Sequence, residues 1–312
     1  MTKIAAAVQF RNEAANLEVY FENILQVADV VVGFDDRSID GSGEIFKKLG
    51  GVLVGRNNPG SIGWKNSTKV RQSLLDWLKK ENFPFMLTVD LDELILEDDS
   101  RILRQQIQNL GEDDVLAVKW LNLYGGVNKC AVNRDGSYPS KVVARRLSRD
   151  LNYNLADYIH FSQIPVRPSD KMLESEARMI HFQALDLEAF RLKQSWYMMM
   201  TIVESGQSAR SINSTYREST KQPRITELPK QISDEISVRP LIISNNWRMR
   251  EIDEMLANHG SQTFKKLDIW TTPYLKKYAI SEWNKIPKPA LDNRIFKLLR
   301  PLLYRYRAFV GN

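Results

Sequence analysis

Carboxylates follow directly after two apolar stretches of the chain, where they could bind a divalent cation. Asp90 and Asp92 flank Leu91 after one stretch, and Asp35 and Asp36 follow another. Residues separated by one position share a face of an extended strand, so Asp90 and Asp92 would point the same way and Leu91 into the core. If the backbone turns there, the two carboxylates would instead divide the work, one on the metal and one on a sugar or ribose. Magnesium and manganese favour carboxylate oxygens and accept phosphate oxygens as further ligands. Each pair alone is also typical of a turn or a helix cap.

The spacing of apolar residues predicts strands that alternate with helices. We expect strands over 4–10, 29–34, 52–55 and 85–89, and helices near 14–25, 43–49 and 67–80. This alternation predicts a parallel sheet with helices on both faces. In such sheets, ligands bind outside the carboxyl ends of the strands. The polar clusters at 11–13, 35–36 and 90–93 should therefore lie at one edge of the sheet.

Several carboxylates at one sheet edge repel one another, which favours a bound cation. At about 4 Å and an effective dielectric constant near 20, each like-charge pair costs roughly 4 kcal/mol. Bound protons or a cation would relieve this repulsion. The chain has a single cysteine, Cys130, and three histidines. The single cysteine excludes an internal disulfide and a cysteine-based metal cluster, and the three histidines disfavour a histidine-rich zinc site, so oxygen ligands and Mn²⁺ or Mg²⁺ are expected.

The composition is typical of a globular chain, and the length allows either one large domain or one domain with a substantial appendage. Of 312 residues, 43% are hydrophobic and 26% are charged, and the net charge is +6. That charge would suit nucleic acid, anionic lipid or phosphorylated substrates, but we find no nucleic-acid-binding motif and expect no such partner. The sequence shows no signal peptide and no membrane span, so we expect a cytoplasmic protein.

Three segments together resemble the motifs of glycosyltransferase family 2 and its relatives. Residues 35–42 resemble Asp-Asp-x-Ser-x-Asp-Gly-(Ser/Thr), residues 11–13 resemble Arg/Lys-Asn-Glu, and residues 89–93 resemble the Asp-x-Asp-Glu metal motif. Their order and spacing match over residues 1–205. The resemblance implies a GT-A fold, which is an α/β, Rossmann-like, mostly parallel sheet flanked by helices. Residues 206–312 would form a mainly helical C-terminal extension.

The resemblance also implies which residues bind the donor and the metal. Six residues would bind the nucleotide-sugar donor: Phe10, Arg11, Glu13, Asp36, Arg71 and Asp90. For Arg71, an exposed helix charge is the alternative. Asp92 would ligate Mn²⁺ or Mg²⁺ on the donor diphosphate. His181 would be a further metal ligand, with a structural histidine as the alternative and His160 as the competing candidate.

The general base that an inverting transfer needs has no clear motif. This base accepts the proton of the acceptor hydroxyl. Asp157, Glu174 and Glu176 are the available carboxylates, and each could instead be a surface charge. We expect Asp157 to act, with Glu176 as the second candidate. Trp120 could stack on a sugar ring, although aromatic residues on strands more often belong to the core.

The last hundred residues lack the alternating pattern. We expect an irregular, proline-containing connection over 205–240, followed by helical stretches at 246–260 and 261–283. Residues 294–310 mix basic and apolar residues and could contact an anionic membrane. An ordinary docked helix is the alternative.

The predicted function is transfer of a sugar from a nucleotide-diphosphate sugar, UDP-linked by default, to the hydroxyl of a glycan or a lipid-linked saccharide. By resemblance, it would be inverting and would serve polysaccharide biosynthesis, in the cytoplasm or at the inner membrane face. One alternative is a non-catalytic nucleotide-sugar-binding homologue. A sugar nucleotidyltransferase is less favoured, because the glycine-rich loop after the first strand is replaced by residues 11–14, which contain no glycine.

Overall fold

The computed structural model describes residues 3–59, 67–153, 163–220, 223–239, 241–242 and 245–290. The chain divides into two compact units. The first unit comprises Met1–Leu187 and Pro223–Ser244, and the second comprises Glu188–Gln222 and Asn245–Asn312. Of the predicted site residues, Asp157 and the competing ligand His160 lie outside the described residues, as does the basic segment 294–310.

Among the residues that the structure describes, the first unit contains one mixed sheet of ten strands. These are β1 Ile4–Phe10, β2 Val30–Asp35, β3 Val52–Arg56, β4 Phe85–Leu87, β5 Glu93–Ile95, β6 Asp114–Tyr124, β7 Lys129–Val132, β8 Ser140–Arg146, β9 Lys171–Ala184 and β10 Arg224–Glu227. The order is β10-β7-β6-β8-β4-β1-β2-β3, and β9 pairs with both β5 and β6. Strands β3, β2, β1 and β4 are parallel, whereas β8 is antiparallel to β4.

Helices cover both faces of the parallel strands. Those of the first unit are α1 Leu17–Ile24, α2 Ser42–Lys48, α3 Ser67–Lys80, α4 Glu97–Gln108 and, later in the chain, α7 Lys230–Val238. Strand β1 is apolar on both sides: Ile4 and Ala6 face the core shared with α1, α2 and α4, while Ala5 and Ala7 face the core shared with α3. A strand buried on both faces must be apolar throughout. The predicted α/β fold class is confirmed.

The stretch 205–240 is more regular than the sequence predicts. In place of an irregular connection over 205–240, it forms α6 Ala209–Thr220, β10 and α7. Two of the three prolines that suggested irregularity stand at element boundaries: Pro223 precedes β10, and Pro229 is the N-cap of α7, whereas Pro240 lies outside the described residues. Proline is tolerated at such boundaries because no helical hydrogen bond needs its missing N–H. Strand β10 pairs antiparallel with β7 in the first unit.

The second unit is helical. It contains most of α5 Leu187–Ser205, all of α6, and α8 Asn246–His259, α9 Ser261–Phe264 and α10 Pro273–Trp283. Buried polar contacts support its core, including a hydrogen bond from Trp196 Nε1 to Glu251 Oε2 of 2.9 Å. Among the described residues, no helix has both the length and the apolar character needed to cross a membrane.

Candidate functional site

The loops that follow β1 and β2 are joined by hydrogen bonds from backbone to side chain. The N–H of Asn12 donates to Ser38 Oγ at 3.0 Å, and the N–H of Glu13 donates to Ser42 Oγ at 2.8 Å. Neighbouring parallel strands bring their carboxyl ends together, so both loops lie at one edge of the sheet. The two serines of the segment 35–42 therefore hold the segment 11–13 in place.

Asp36 is surrounded by hydrogen-bond donors at this edge. Its carboxylate accepts hydrogen bonds from Gln9 Nε2 at 3.0 Å and Asn57 Nδ2 at 2.7 Å, and it forms an ion pair with Arg37. Its N–H donates to the carbonyl oxygen of Phe10 at 2.7 Å. Sequence reasoning did not single out Gln9 or Asn57, although both stand at carboxyl ends of strands, which is the signal that could have found them.

The Asp-x-Asp segment is a tight turn between β4 and β5. The N–H of Glu93 donates to the carbonyl oxygen of Asp90 at 3.0 Å, and the N–H of Asp90 donates to Glu93 Oε2 at 2.8 Å. Leu91 is buried in the core, as predicted. The Asp90 carboxylate accepts hydrogen bonds from Lys141 Nζ at 3.2 Å and Gln163 Nε2 at 2.7 Å, yet a third of its side chain stays exposed. The turn leaves Asp90 accessible.

Glu93 is fully buried and is held by two donors from other strands. Lys141 Nζ on β8 donates to Glu93 Oε1 at 2.6 Å, and Trp120 Nε1 on β6 donates to the same oxygen at 2.9 Å. Burial raises the pKa of Glu93, although the ammonium group of Lys141 opposes the rise. Burial would lower the pKa of Lys141, but the carboxylates of Asp90 and Glu93 raise it above its ordinary value. The lysine is thus a fixed positive charge at the sheet edge.

Strand β9 brings His181 beside the Asp-x-Asp turn. His181 lies opposite Glu93 in the antiparallel pairing of β5 and β9, and the N–H of Phe182 donates to the carbonyl oxygen of Asp92 at 2.9 Å. As a result, His181 Nε2 lies 3.6 Å from Asp92 Oδ2. Asn122 Oδ1 lies 2.7 Å from the other ring nitrogen, Nδ1.

The pair formed by Asp92 and His181 suits a divalent cation. At 3.6 Å, the two atoms are too far apart for a hydrogen bond. Two ligands about 2.1 Å from one octahedral ion lie roughly 3 Å apart, which is close to this separation. An imidazole nitrogen with a carboxylate oxygen is a donor set that manganese accepts. Among the described residues, no three His, Cys, Asp or Glu side chains are grouped to hold a metal ion, so phosphate oxygens and water would supply the other ligands.

The remaining predicted residues have other surroundings. Glu176, on β9, is exposed and forms an ion pair with Lys119. The carboxylate of Glu13 accepts a hydrogen bond from Asn16 Nδ2 at 2.8 Å. Arg71 is half-buried on α3. The functional roles of these residues stay predictions.

Sequence reasoning missed the residues that support the site. Lys141, Asn122 and Gln163 carry no motif, and the chain gives no signal for them before the strand register is known. The sequence suggests Trp120 as a stacking surface for a sugar, but the structure stacks its ring on His181 and its Nε1 donates a hydrogen bond to Glu93. The register of β6 against β9 places Trp120 and Asn122 beside His181.

The comparisons with known proteins identify no family. No family model matches the chain. No curated protein matches it either. Similar solved structures include glucosyl-3-phosphoglycerate synthase from Mycobacterium tuberculosis with Mn²⁺, UDP and glucosyl-3-phosphoglycerate, at 18% identity and a TM-score of 0.29 over 41% of this chain and 46% of that one. The chain therefore spans about half the length of that enzyme.

Two further structures illustrate the level of similarity. S. aureus TarS 1–349 has 14% identity and a TM-score of 0.41, over 91% of this chain and 93% of that one. A cytidylyltransferase from Leptospira borgpetersenii has 19% identity and a TM-score of 0.27, over 38% of this chain and 54% of that one. Sequence identities and TM-scores this low are not evidence of function, so a function can be inferred only from the geometry of the site.

Proposed function

We propose that this chain is a metal-dependent glycosyltransferase that uses a nucleotide-diphosphate sugar, with UDP-sugars as the default donors. The observation that carries the proposal is the juxtaposition of Asp92 Oδ2 and His181 Nε2, 3.6 Å apart at the carboxyl edge of the sheet. The same edge carries Asp36 after β2 and Asp90 after β4. Carboxylates at this edge fit a donor that brings a cation and a diphosphate together.

Asp92 and His181 would hold Mn²⁺ or Mg²⁺, which would stabilise the diphosphate as a leaving group. Asp36 would bind the nucleoside, with its carboxylate oriented by Gln9 and Asn57. Asp90, which Lys141 orients while a third of its side chain stays exposed, would face the ribose or the donor sugar. Phe10, Arg11, Glu13 and Arg71 complete the proposed donor-binding set by resemblance.

The acceptor would be a hydroxyl of a glycan or of a lipid-linked saccharide, with inversion at the anomeric carbon. Asp157 is the proposed base, and it lies outside the described residues. Glu176 is the less suitable candidate, because it is exposed and ion-paired with Lys119. A base must reach the acceptor hydroxyl within about 3 Å, directly or through one water.

Release of UDP from a panel of UDP-sugars in the presence of Mn²⁺ tests the proposal. Asp92→Asn keeps the shape of the side chain and removes its charge. It should lower metal-dependent UDP release by more than the roughly 10- to 100-fold that partners outside the ligand shell contribute. Asp98→Asn, at an exposed position on α4, is the matched control and should leave release unchanged.

Equal rates for these two variants would contradict a metal site at Asp92. Binding of nucleotide without release from UDP-, GDP- or dTDP-sugars would instead favour the alternative of a non-catalytic nucleotide-sugar-binding protein.

A further inference from the structure

Two side chains of β6 fix the His181 imidazole from different directions. Asn122 Oδ1 lies 2.7 Å from the ring nitrogen Nδ1. The indole of Trp120 is stacked on the imidazole, with ring centroids 4.6 Å apart and planes inclined by 14°. Trp120 and Asn122 are two positions apart on one strand, so their side chains point to the same face of the sheet. His181 itself is only 5% exposed.

The contact with Asn122 determines which ring nitrogen carries the proton. The Oδ1 atom of an asparagine only accepts hydrogen bonds. With Oδ1 as the contacting atom, Nδ1 of His181 carries the proton, and in the neutral ring the lone pair of Nε2 is directed toward Asp92 Oδ2. In this state, the two facing atoms are both acceptors. Their separation of 3.6 Å leaves room for a positively charged ligand between them.

The indole of Trp120 is anchored through the Asp-x-Asp-Glu segment. Its Nε1 donates to Glu93 Oε1 at 2.9 Å, and Glu93 is fixed in turn by Lys141 at 2.6 Å. Glu93 is adjacent to Asp92 in sequence. Glu93, the residue after Asp92, thus holds the indole that is stacked on the ring of His181. The same residues therefore support both members of the pair formed by Asp92 and His181.

We propose that Asn122 and Trp120 are positioning residues that hold His181 with its proton on Nδ1 and Nε2 free to bind a metal. Asn122 sets the tautomer and Trp120 sets the plane of the ring. The consequence for metal affinity rests on the proposed function, but the tautomer does not, because it is a property of the metal-free protein. Partners of this kind on the far nitrogen of a ligating histidine typically contribute 10- to 100-fold in metal affinity.

The tautomer is measured directly by NMR of the full chain labelled with ¹⁵N-histidine, without metal, at about pH 8, where an ordinary imidazole is neutral. The chain has three histidines, and the signals of His181 are those lost in His181→Gln. We expect a protonated Nδ1 and an unprotonated Nε2. A proton on Nε2 would overturn the proposal, because Asn122 would then donate through its amide nitrogen.

Variants at position 122 test whether Asn122 sets the tautomer of His181. Asn122→Leu removes the acceptor at similar volume and should give a mixture of tautomers, whereas Asn122→Asp retains an acceptor and should keep the proton on Nδ1. Asn109→Leu, at an exposed position, is the control for the substitution itself. An unchanged tautomer in folded Asn122→Leu would show that Asn122 does not set it.

Binding of Mn²⁺ in the presence of UDP, whose phosphate oxygens would supply further ligands, tests the effect on metal affinity and is followed by the electron paramagnetic resonance signal of the ion. Asn122→Leu and Trp120→Leu should each weaken binding roughly 10- to 100-fold, and Trp120→Phe, which keeps a stacked ring, should weaken it less. Affinities equal to wild type in folded Asn122→Leu and Trp120→Leu would overturn the positioning role. Absence of Mn²⁺ binding in wild type, with the proton still on Nδ1, would contradict the proposed function and leave the tautomer assignment supported.

Discussion

The ion pair between Lys141 and Glu93 is deeply buried beside the proposed metal site. The side chain of Lys141 is 15% exposed and that of Glu93 is fully buried, with 2.6 Å between Nζ and Oε1. An exposed pair, Lys119 with Glu176, joins β6 to β9 in the same sheet. Removal of one partner from a buried pair leaves the other charge unpaired away from water, whereas an exposed pair loses little.

We expect Lys141→Met to lower the free energy of unfolding by about 3–5 kcal/mol, because it leaves the buried carboxylate of Glu93 uncompensated. Lys119→Met is the matched control, with an expected loss of about 0–1 kcal/mol. Urea denaturation measures both values. Addition of Glu93→Gln to Lys141→Met should restore part of the loss. Equal losses for the two lysine variants would contradict the buried pair.

The residues with proposed chemistry and the residues that support them differ in how far the sequence reveals them. Asp36, Asp90 and Asp92 follow apolar strands, so their position at the sheet edge is expected from local pattern. The nearness of His181 to Asp92 depends on the pairing of β5 with β9, which no local pattern encodes. Asn122 could not be found for the same reason, since its contact depends on the register of β6 against β9.

The loops after β1 and β2 form one structural element through the serines of the segment 35–42. Ser38 is fully buried, and its Oγ accepts the hydrogen bond from the N–H of Asn12 at 3.0 Å. This bond satisfies a backbone donor away from water and holds the backbone next to Asp36. Loss of the acceptor leaves the N–H of Asn12 unsatisfied, at a cost of about 1–3 kcal/mol.

Ser38→Ala should therefore lower the free energy of unfolding by about 1–3 kcal/mol. Ser73→Ala is the control: Ser73 is an exposed residue of α3 whose Oγ donates to the carbonyl oxygen of Lys69, and its replacement should change stability by less than about 0.5 kcal/mol. Chemical denaturation measures the free energy of unfolding of both variants. No difference between them would mean that Ser38 does not support the loop.

Elements with a simple apolar pattern were predicted well, and elements defined by distant partners were not. The strand at Ile4–Phe10 and the helix at Ser67–Lys80 are confirmed, because the first is a continuous apolar run suited to a strand buried on both faces and the second repeats apolar residues at the helical period. The expectation of an irregular connection over 205–240 was wrong. Strand β10 has only four residues and is stabilised by pairing with β7, so its own sequence carries little signal.

The first unit is assembled from two separate parts of the chain. Residues 1–187 form most of it, and residues 223–244 return to add β10 and α7. Apolar residues of the returning segment, Leu228, Ile232, Ile236 and Leu241, are buried in a cluster with Leu94, Leu121, Ile180 and Phe182. A catalytic domain bounded at residue 205 remains our proposal from the sequence, and the buried cluster implies that this domain also needs the returning segment.

Two residues of α7 test this dependence. Ile236 is 2% exposed and Val238 is 76% exposed on the same helix. Ile236→Asp buries an unpaired carboxylate and should cost several kcal/mol of stability. Val238→Asp, at the end of the helix, should cost less than about 1 kcal/mol. Thermal unfolding of the full chain compares them, and equal transition temperatures would contradict the packing of α7 on the first unit.

Calorimetric titration of UDP into the protein, with and without Mn²⁺, tests the metal–diphosphate site most directly. If Asp92 and His181 hold the cation, UDP binding by the wild-type protein should depend on Mn²⁺. Binding should be lost in Asp92→Asn, whereas Asp98→Asn should bind UDP as the wild type does. UDP binding that is equal with and without Mn²⁺, or that survives unchanged in Asp92→Asn, would contradict the account.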